Sequence, residues 1–78
     1  TSERRAELAK VAKRLAEVAK VGIRSIRQDV IKHLEIDKDT MSEDALKSGK
    51  EDIQKTIDET IKTIDELTKT KEADIMKI

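Results

Sequence analysis

The 78-residue chain contains no cysteine, no proline and no aromatic side chain. Zero cysteines exclude disulfides and thiolate zinc sites and fit a reducing compartment. Without a single aromatic ring there is no platform on which a nucleic-acid base could stack, so any contact with a polynucleotide must be mostly electrostatic. No long apolar run is present, which excludes a membrane-spanning helix, and the first residues, "TSERRAELAK", lack the apolar segment of a secretory signal. At this length the chain is one small domain at most.

What it has in abundance is charge. Asp, Glu, Lys and Arg make up 44% of the residues and sum to zero, but the halves differ. Residues 1–34 carry nine Lys/Arg against four Asp/Glu, and residues 35–78 carry eight Lys against thirteen Asp/Glu, a split of +5 and −5. Two readings follow: the first half meets an anionic partner, or the two halves attract each other.

The apolar residues recur at helical spacing. Leu8, Val11, Leu15, Val18, Gly22, Ile26 and Val30 step by three and four, the mark of one buried stripe on a helix over about residues 2–34. Ala6, Ala9, Ala12, Ala16 and Ala19 favour helix and permit close approach of a neighbour, and Ser2 is the expected N-cap. "EIDKDTMSED" breaks the pattern: a loop is expected over about residues 35–41, with Thr40 and Ser42 as alternative caps and Thr40-x-x-Glu43 in capping-box form. Glu43 and Asp44 suit the positive end of a second helix. That helix, about residues 42–76, carries the stripe Leu46, Gly49, Ile53, Ile57, Ile61, Ile64, Leu67, Lys71 and Ile75. Nothing alternates as a strand would.

The expected fold class is therefore all-α, two long antiparallel helices forming a helical hairpin. Twenty-one Val, Leu, Ile and Met side chains exceed what one seam can cover. A third helix is absent from the chain, or chains associate. Gly22 and Gly49 each cost roughly 1 kcal/mol against alanine inside a helix, for which a close helix crossing is the expected reason.

Catalytic chemistry is not visible. There is no Ser/His/Asp set, no glycine-rich phosphate loop and no acid pair of catalytic type, so no enzyme and no cofactor is expected. The lone His33, with only Asp29 and Asp37 near it in sequence, is a poor metal ligand and is expected to contact helix carbonyls instead. The cations carry more. At about 100° per residue, Lys10, Lys13, Lys20, Arg24 and Arg27 form a line roughly opposite the apolar stripe, about 25 Å long and interrupted by Glu17. Arginine at 24 and 27 favours bidentate phosphate contact. A polyanion-binding face and an ordinary solvated face both remain open on this pattern. A peripheral membrane helix is disfavoured by the missing aromatic anchors and the acidic second half.

The residues also resemble a known family. Ser2-Glu3-Arg4-Arg5, followed by Arg24-Ser25-Ile26-Arg27-Gln28-Asp29, is similar to the opening of the long C-terminal helical segment of bacterial-type ribosome recycling factors. "TMSEDALKSGKEDIQKTIDETIKTIDELTKTKEADIMKI" is similar to their last helix, with Lys71-Glu72 to Met76 and Ile78 in the place of its terminal motif. The resemblance covers all 78 residues. It implies the second and third helices of a three-helix bundle whose first helix, together with an inserted β/α domain, is absent from this chain, which would make the chain a fragment. It further implies a role in splitting the post-termination ribosome with elongation factor G and GTP, contact of Arg24 and Arg27 with large-subunit ribosomal RNA, no membrane association, and a home in the bacterial cytoplasm or an organellar matrix or stroma. The stretch "DVIKHLEIDKDT" is about two residues shorter than the family pattern, so no role is carried onto His33 or Asp37. The competing reading is a structural coiled-coil or oligomerisation hairpin with no nucleic-acid role; on either reading the isolated chain is expected to self-associate.

Overall fold

The computed structural model describes residues 1–77; Ile78, the last residue of the terminal motif, lies outside the described residues. Two helices, α1 (Ser2–Ile36) and α2 (Glu43–Met76), flank a single 3-10 turn, Lys38–Thr40. No strand occurs among the described residues. The chain doubles back into a thin rod measuring 60 × 15 × 8 Å.

The helix ends follow local hydrogen-bond chemistry. Thr1, one residue before the expected Ser2, caps α1: its Oγ1 accepts from the Arg4 backbone N–H at 3.3 Å. At the other end α1 continues two residues past the expected end at 34. His33 Nδ1 lies 2.7 Å from the Asp29 carbonyl oxygen, the contact expected of it. The Asp37 N–H then donates to the His33 carbonyl at 3.3 Å. Thr40 does not cap α2. Its hydroxyl donates back to the Asp37 carbonyl at 2.7 Å and closes the turn. The cap falls to Ser42, whose Oγ accepts from the Ala45 N–H at 3.0 Å, so the capping box on Thr40 is not formed. Five threonines sit within α2, at 56, 60, 63, 68 and 70, and each returns its hydroxyl to the carbonyl four residues back, at 2.7–3.1 Å. A β-branched polar residue is thereby accommodated without an unpaired hydroxyl.

The seam between the helices departs from the expected one on α1. The side of α1 turned toward α2 carries Ala9, Ala12, Ala16, Ile23, Ile31 and Leu34, which are half-buried. The large residues of the expected stripe are not covered: Leu15 and Val18 are each 65% exposed and Ile26 56%. The alanine side is the one along which two helices come closest, and α2 takes it. The leucine and valine stripe is left beside the seam as an open apolar face. On α2 most of the expected stripe holds, with Leu46, Gly49, Ile53, Ile57, Ile61, Ile64 and Ile75 turned inward, but Leu67 is left 58% exposed and Lys71 is exposed as well. Ile57, at 9% exposure, is the one buried hydrophobic among the described residues. The glycines divide likewise. A Cβ at Gly49 would meet Leu34 Cδ1 at 3.5 Å, so α1 does approach there. A Cβ at Gly22 would meet nothing within 4 Å, so the expected close crossing does not occur within the hairpin.

Candidate nucleic-acid interface

The seam divides the rod lengthwise into two unlike sides. One side holds apolar grooves, formed around Ile26, Val30 and Ile53 and again around Leu15, Ile64 and Leu67. The other holds grooves edged by charged and amide side chains. One is lined by Arg24, Arg27, Gln28, Gln54 and Asp58, the other by Lys13, Glu17, Lys20, Asp65, Lys69 and Glu72. All five cations singled out from the sequence belong by helical position to this polar side or its rim.

They do not form a uniform outward line. Lys13 lies 3.9 Å from Glu72. Lys20 pairs with Asp65 on α2 and with Glu17 at 3.2 Å on its own helix, and its side chain is only 14% exposed. Arg27 is half-buried, and its Nε donates to Gln54 Oε1 at 2.7 Å; Gln54 Nε2 in turn donates to Asp58 at 2.9 Å. Lys20 and Arg27 thus face α2 rather than standing opposite it. The reason is that the neighbour sits on the alanine side, nearer the cations than the apolar stripe is. Lys10 and Arg24 are exposed and make no ion pair among the described residues.

These contacts form a ladder with a seven-residue rise. Lys13, Lys20 and Arg27 step by seven along α1, and Glu72, Asp65 and Asp58 step by seven in the opposite direction along α2, so each rung sets a cation near an acid. A final pair near the turn, Lys50 with Glu35, reverses the polarity. The +5 and −5 halves therefore attract each other in part, and pairs of this kind on an exposed surface add little stability individually but help to set how two helices pair. Hydrogen bonding to Asp65, reinforced by Glu17, holds the Lys20 ammonium above its ordinary pKa. The hydrogen bond from Lys50 holds Glu35 below the usual carboxylate value. Reading the chain linearly identified the cations but not Gln54, Asp58, Asp65 or Glu72. The seven-residue spacing shared by the two sets was the available signal.

Among the described residues there is no grouping of three or more His, Cys, Asp or Glu side chains able to hold a metal ion, and no helix is long and apolar enough to cross a membrane. The chemical capability on display is hydrogen bonding and charge, concentrated where Arg24 and Arg27 flank the polar groove.

Comparison with known proteins places the residues in context. A family model described as ribosome recycling factor matches residues 1–76. The ribosome-recycling factor of Carboxydothermus hydrogenoformans is 53% identical over 81 aligned positions, covering 100% of this chain and 43% of that protein. That of Bacillus licheniformis is 49% identical with the same coverage, and that of Flavobacterium psychrophilum 52% identical, covering 100% of this chain and 42% of that protein. The chain thus spans less than half the length of these relatives. No solved structure matches it significantly.

Proposed function

Since the chain belongs to the ribosome recycling factor family, we propose that it acts in ribosome recycling after termination, as part of the helical arm that lies on the large ribosomal subunit. In this reading the polar side of the hairpin meets ribosomal RNA. Arg24, exposed and without an intramolecular acid, makes the primary phosphate contact, and Arg27 beside it makes a second. Lys10, Lys13 and Lys20 extend the positive edge, with Lys13 and Lys20 sharing their charge with Glu72 and Asp65. The opposite, apolar side receives a third helix of the bundle, supplied by the part of the factor beyond the length matched here. The recycling step itself, splitting of the post-termination complex, is carried out with elongation factor G and GTP. The chain contributes binding and shape rather than covalent catalysis, in the cytoplasm of a bacterium.

The observation that carries this reading is the position of Arg24 and Arg27 at one polar groove, in a stretch that matches the family's sequence. Arg24→Glu tests it. Affinity for purified large ribosomal subunits should fall while helicity stays constant, and unchanged affinity sinks the assignment. A structural hairpin is the second reading, favoured by the seven-residue ladder, which commits three of the five cations to contacts with α2. It expects Arg24→Glu to be silent.

A further inference from the structure

The three rungs of the ladder are not built alike. At the first two a lysine meets a carboxylate directly, Lys13 with Glu72 and Lys20 with Asp65. By the same seven-residue step Arg27 falls opposite Asp58, yet the contact is not direct. Gln54 stands between them, its carbonyl oxygen accepting from Arg27 Nε at 2.7 Å and its amide nitrogen donating to Asp58 at 2.9 Å. From this we infer that Gln54 is a positioning residue for Arg27: it fixes the guanidinium against α2 while keeping the carboxylate of Asp58 from neutralising it. The inference rests on the ribosomal RNA reading of the groove proposed above.

The chemistry is specific to these groups. A guanidinium has two edges able to make paired hydrogen bonds. Engaging Nε with a neutral acceptor occupies one edge and immobilises the plane. The terminal edge keeps its N–H groups, and the side chain keeps its full charge. A carboxylate at the same place would hold the plane equally well but cancel the charge that a phosphate would otherwise meet. Asp58 contributes at one remove. By accepting from the amide nitrogen it orients Gln54 with its oxygen toward Arg27, since an amide that donates at one end presents its acceptor at the other. The groove at this point is lined by Arg24, Arg27 and Gln28 together with Gln54 and Asp58, so the fixed guanidinium lies beside the second arginine while the acid of the groove is engaged by the Gln54 amide. An arginine immobilised before binding loses less side-chain freedom when it grips a phosphate.

The experiment measures binding of the full chain to purified large ribosomal subunits across a salt series, with helicity followed by circular dichroism. Arg27→Ala should weaken binding about tenfold and lower the slope of log K against log salt by about one unit. Gln54→Glu keeps the acceptor but adds the negative charge, and should reproduce both changes. Gln54→Met keeps the volume and removes the hydrogen bonds. It should weaken binding several-fold and lower the slope by less than one unit, because the guanidinium loses its placement and becomes free to pair with Asp58. Placed on top of Arg27→Ala, Gln54→Met should not weaken binding further, since it acts through the same guanidinium. A loss that adds in this double variant, or a Gln54→Glu protein with undiminished affinity and slope while Arg27→Ala is impaired, overturns the positioning role and leaves the RNA reading standing. An Arg27→Ala protein that binds as well as the parent overturns the positioning role and the part of the RNA reading assigned to Arg27, whereas Arg24→Glu decides the rest.

Discussion

Replacing Ile57 by alanine and replacing Leu15 by alanine delete the same number of carbon atoms from two positions that differ only in cover. Ile57 is 9% exposed and Leu15 65% exposed. At about 0.8 kcal/mol per buried methylene-sized group, the loss at Ile57 is about 2.4 kcal/mol before any cavity term. At Leu15, where about a third of the side chain is covered, it is about 0.8 kcal/mol. The helix-propensity gain of alanine takes back a few tenths of a kcal/mol at either site. A threefold ratio is therefore expected from the hairpin alone. Urea unfolding followed by far-UV circular dichroism, run at several protein concentrations, measures it. As concentration rises and the open face becomes covered by a second copy, the Leu15 cost should climb toward the Ile57 cost. Equal costs at a dilution where sedimentation gives the monomer mass would show that the leucine and valine stripe is covered within one chain, and would refute the division of the rod into a closed seam and an open face.

Other outcomes follow from the same geometry. Sedimentation equilibrium at micromolar concentration should show self-association that Val18→Glu abolishes, and a parent chain that is monomeric with a sharp thermal transition refutes this. Gly22→Ala should be neutral or stabilise the hairpin by up to about 1 kcal/mol, because a Cβ there meets nothing within 4 Å; a loss of stability in the dilute monomer contradicts the open position. The depressed pKa of Glu35 makes its contact with Lys50 stabilising above the ordinary carboxylate range, and that contribution disappears as pH falls through the lowered value; Glu35→Gln should flatten the acid limb of stability against pH. Lys20 runs the other way: its contribution is complete below the ordinary lysine value and is lost as pH rises through the raised one, so Lys20→Met should remove that alkaline loss.

Most of the architecture was legible in the order of residues. Steps of three and four in Leu, Val and Ile, the Asp- and Thr-rich break, and the acids after Ser42 suffice for two helices and a turn. The cap at Thr1 and the failure of the Thr40 capping box were not, because Thr40 and Ser42 offer the same chemistry and only the path of the turn decides which carbonyl or N–H each hydroxyl reaches. The face of α1 that meets α2 was hidden for a deeper reason. Hydrophobic periodicity reports the face that is finally buried, and in this hairpin Leu8, Leu15 and Val18 await a neighbour that α2 does not provide, while the small residues Ala9, Ala12 and Ala16 take the contact. The cations of the candidate site were visible, but Lys20 and Arg27 were placed too far outward because their partners, Asp65 and Gln54, are 45 and 27 positions away and become neighbours only once the chain folds back.

A rod in which Ile57, near the middle of α2, is the one buried side chain among the described residues has no central mass to melt all at once. Amide exchange should be slowest around Ile57 and the facing part of α1, where Arg27 and Gln54 also tie the helices, and should quicken toward the open end, where the Lys13–Glu72 contact at 3.9 Å is the outermost of the ladder's ties. The closed end is held by the turn and by Lys50 with Glu35. Such a gradient makes the hairpin behave as a pair of tines joined at the base, stiff at the root and compliant at the tip, so that a load applied near Lys13 would splay the helices locally before it disturbed the groove at Arg24.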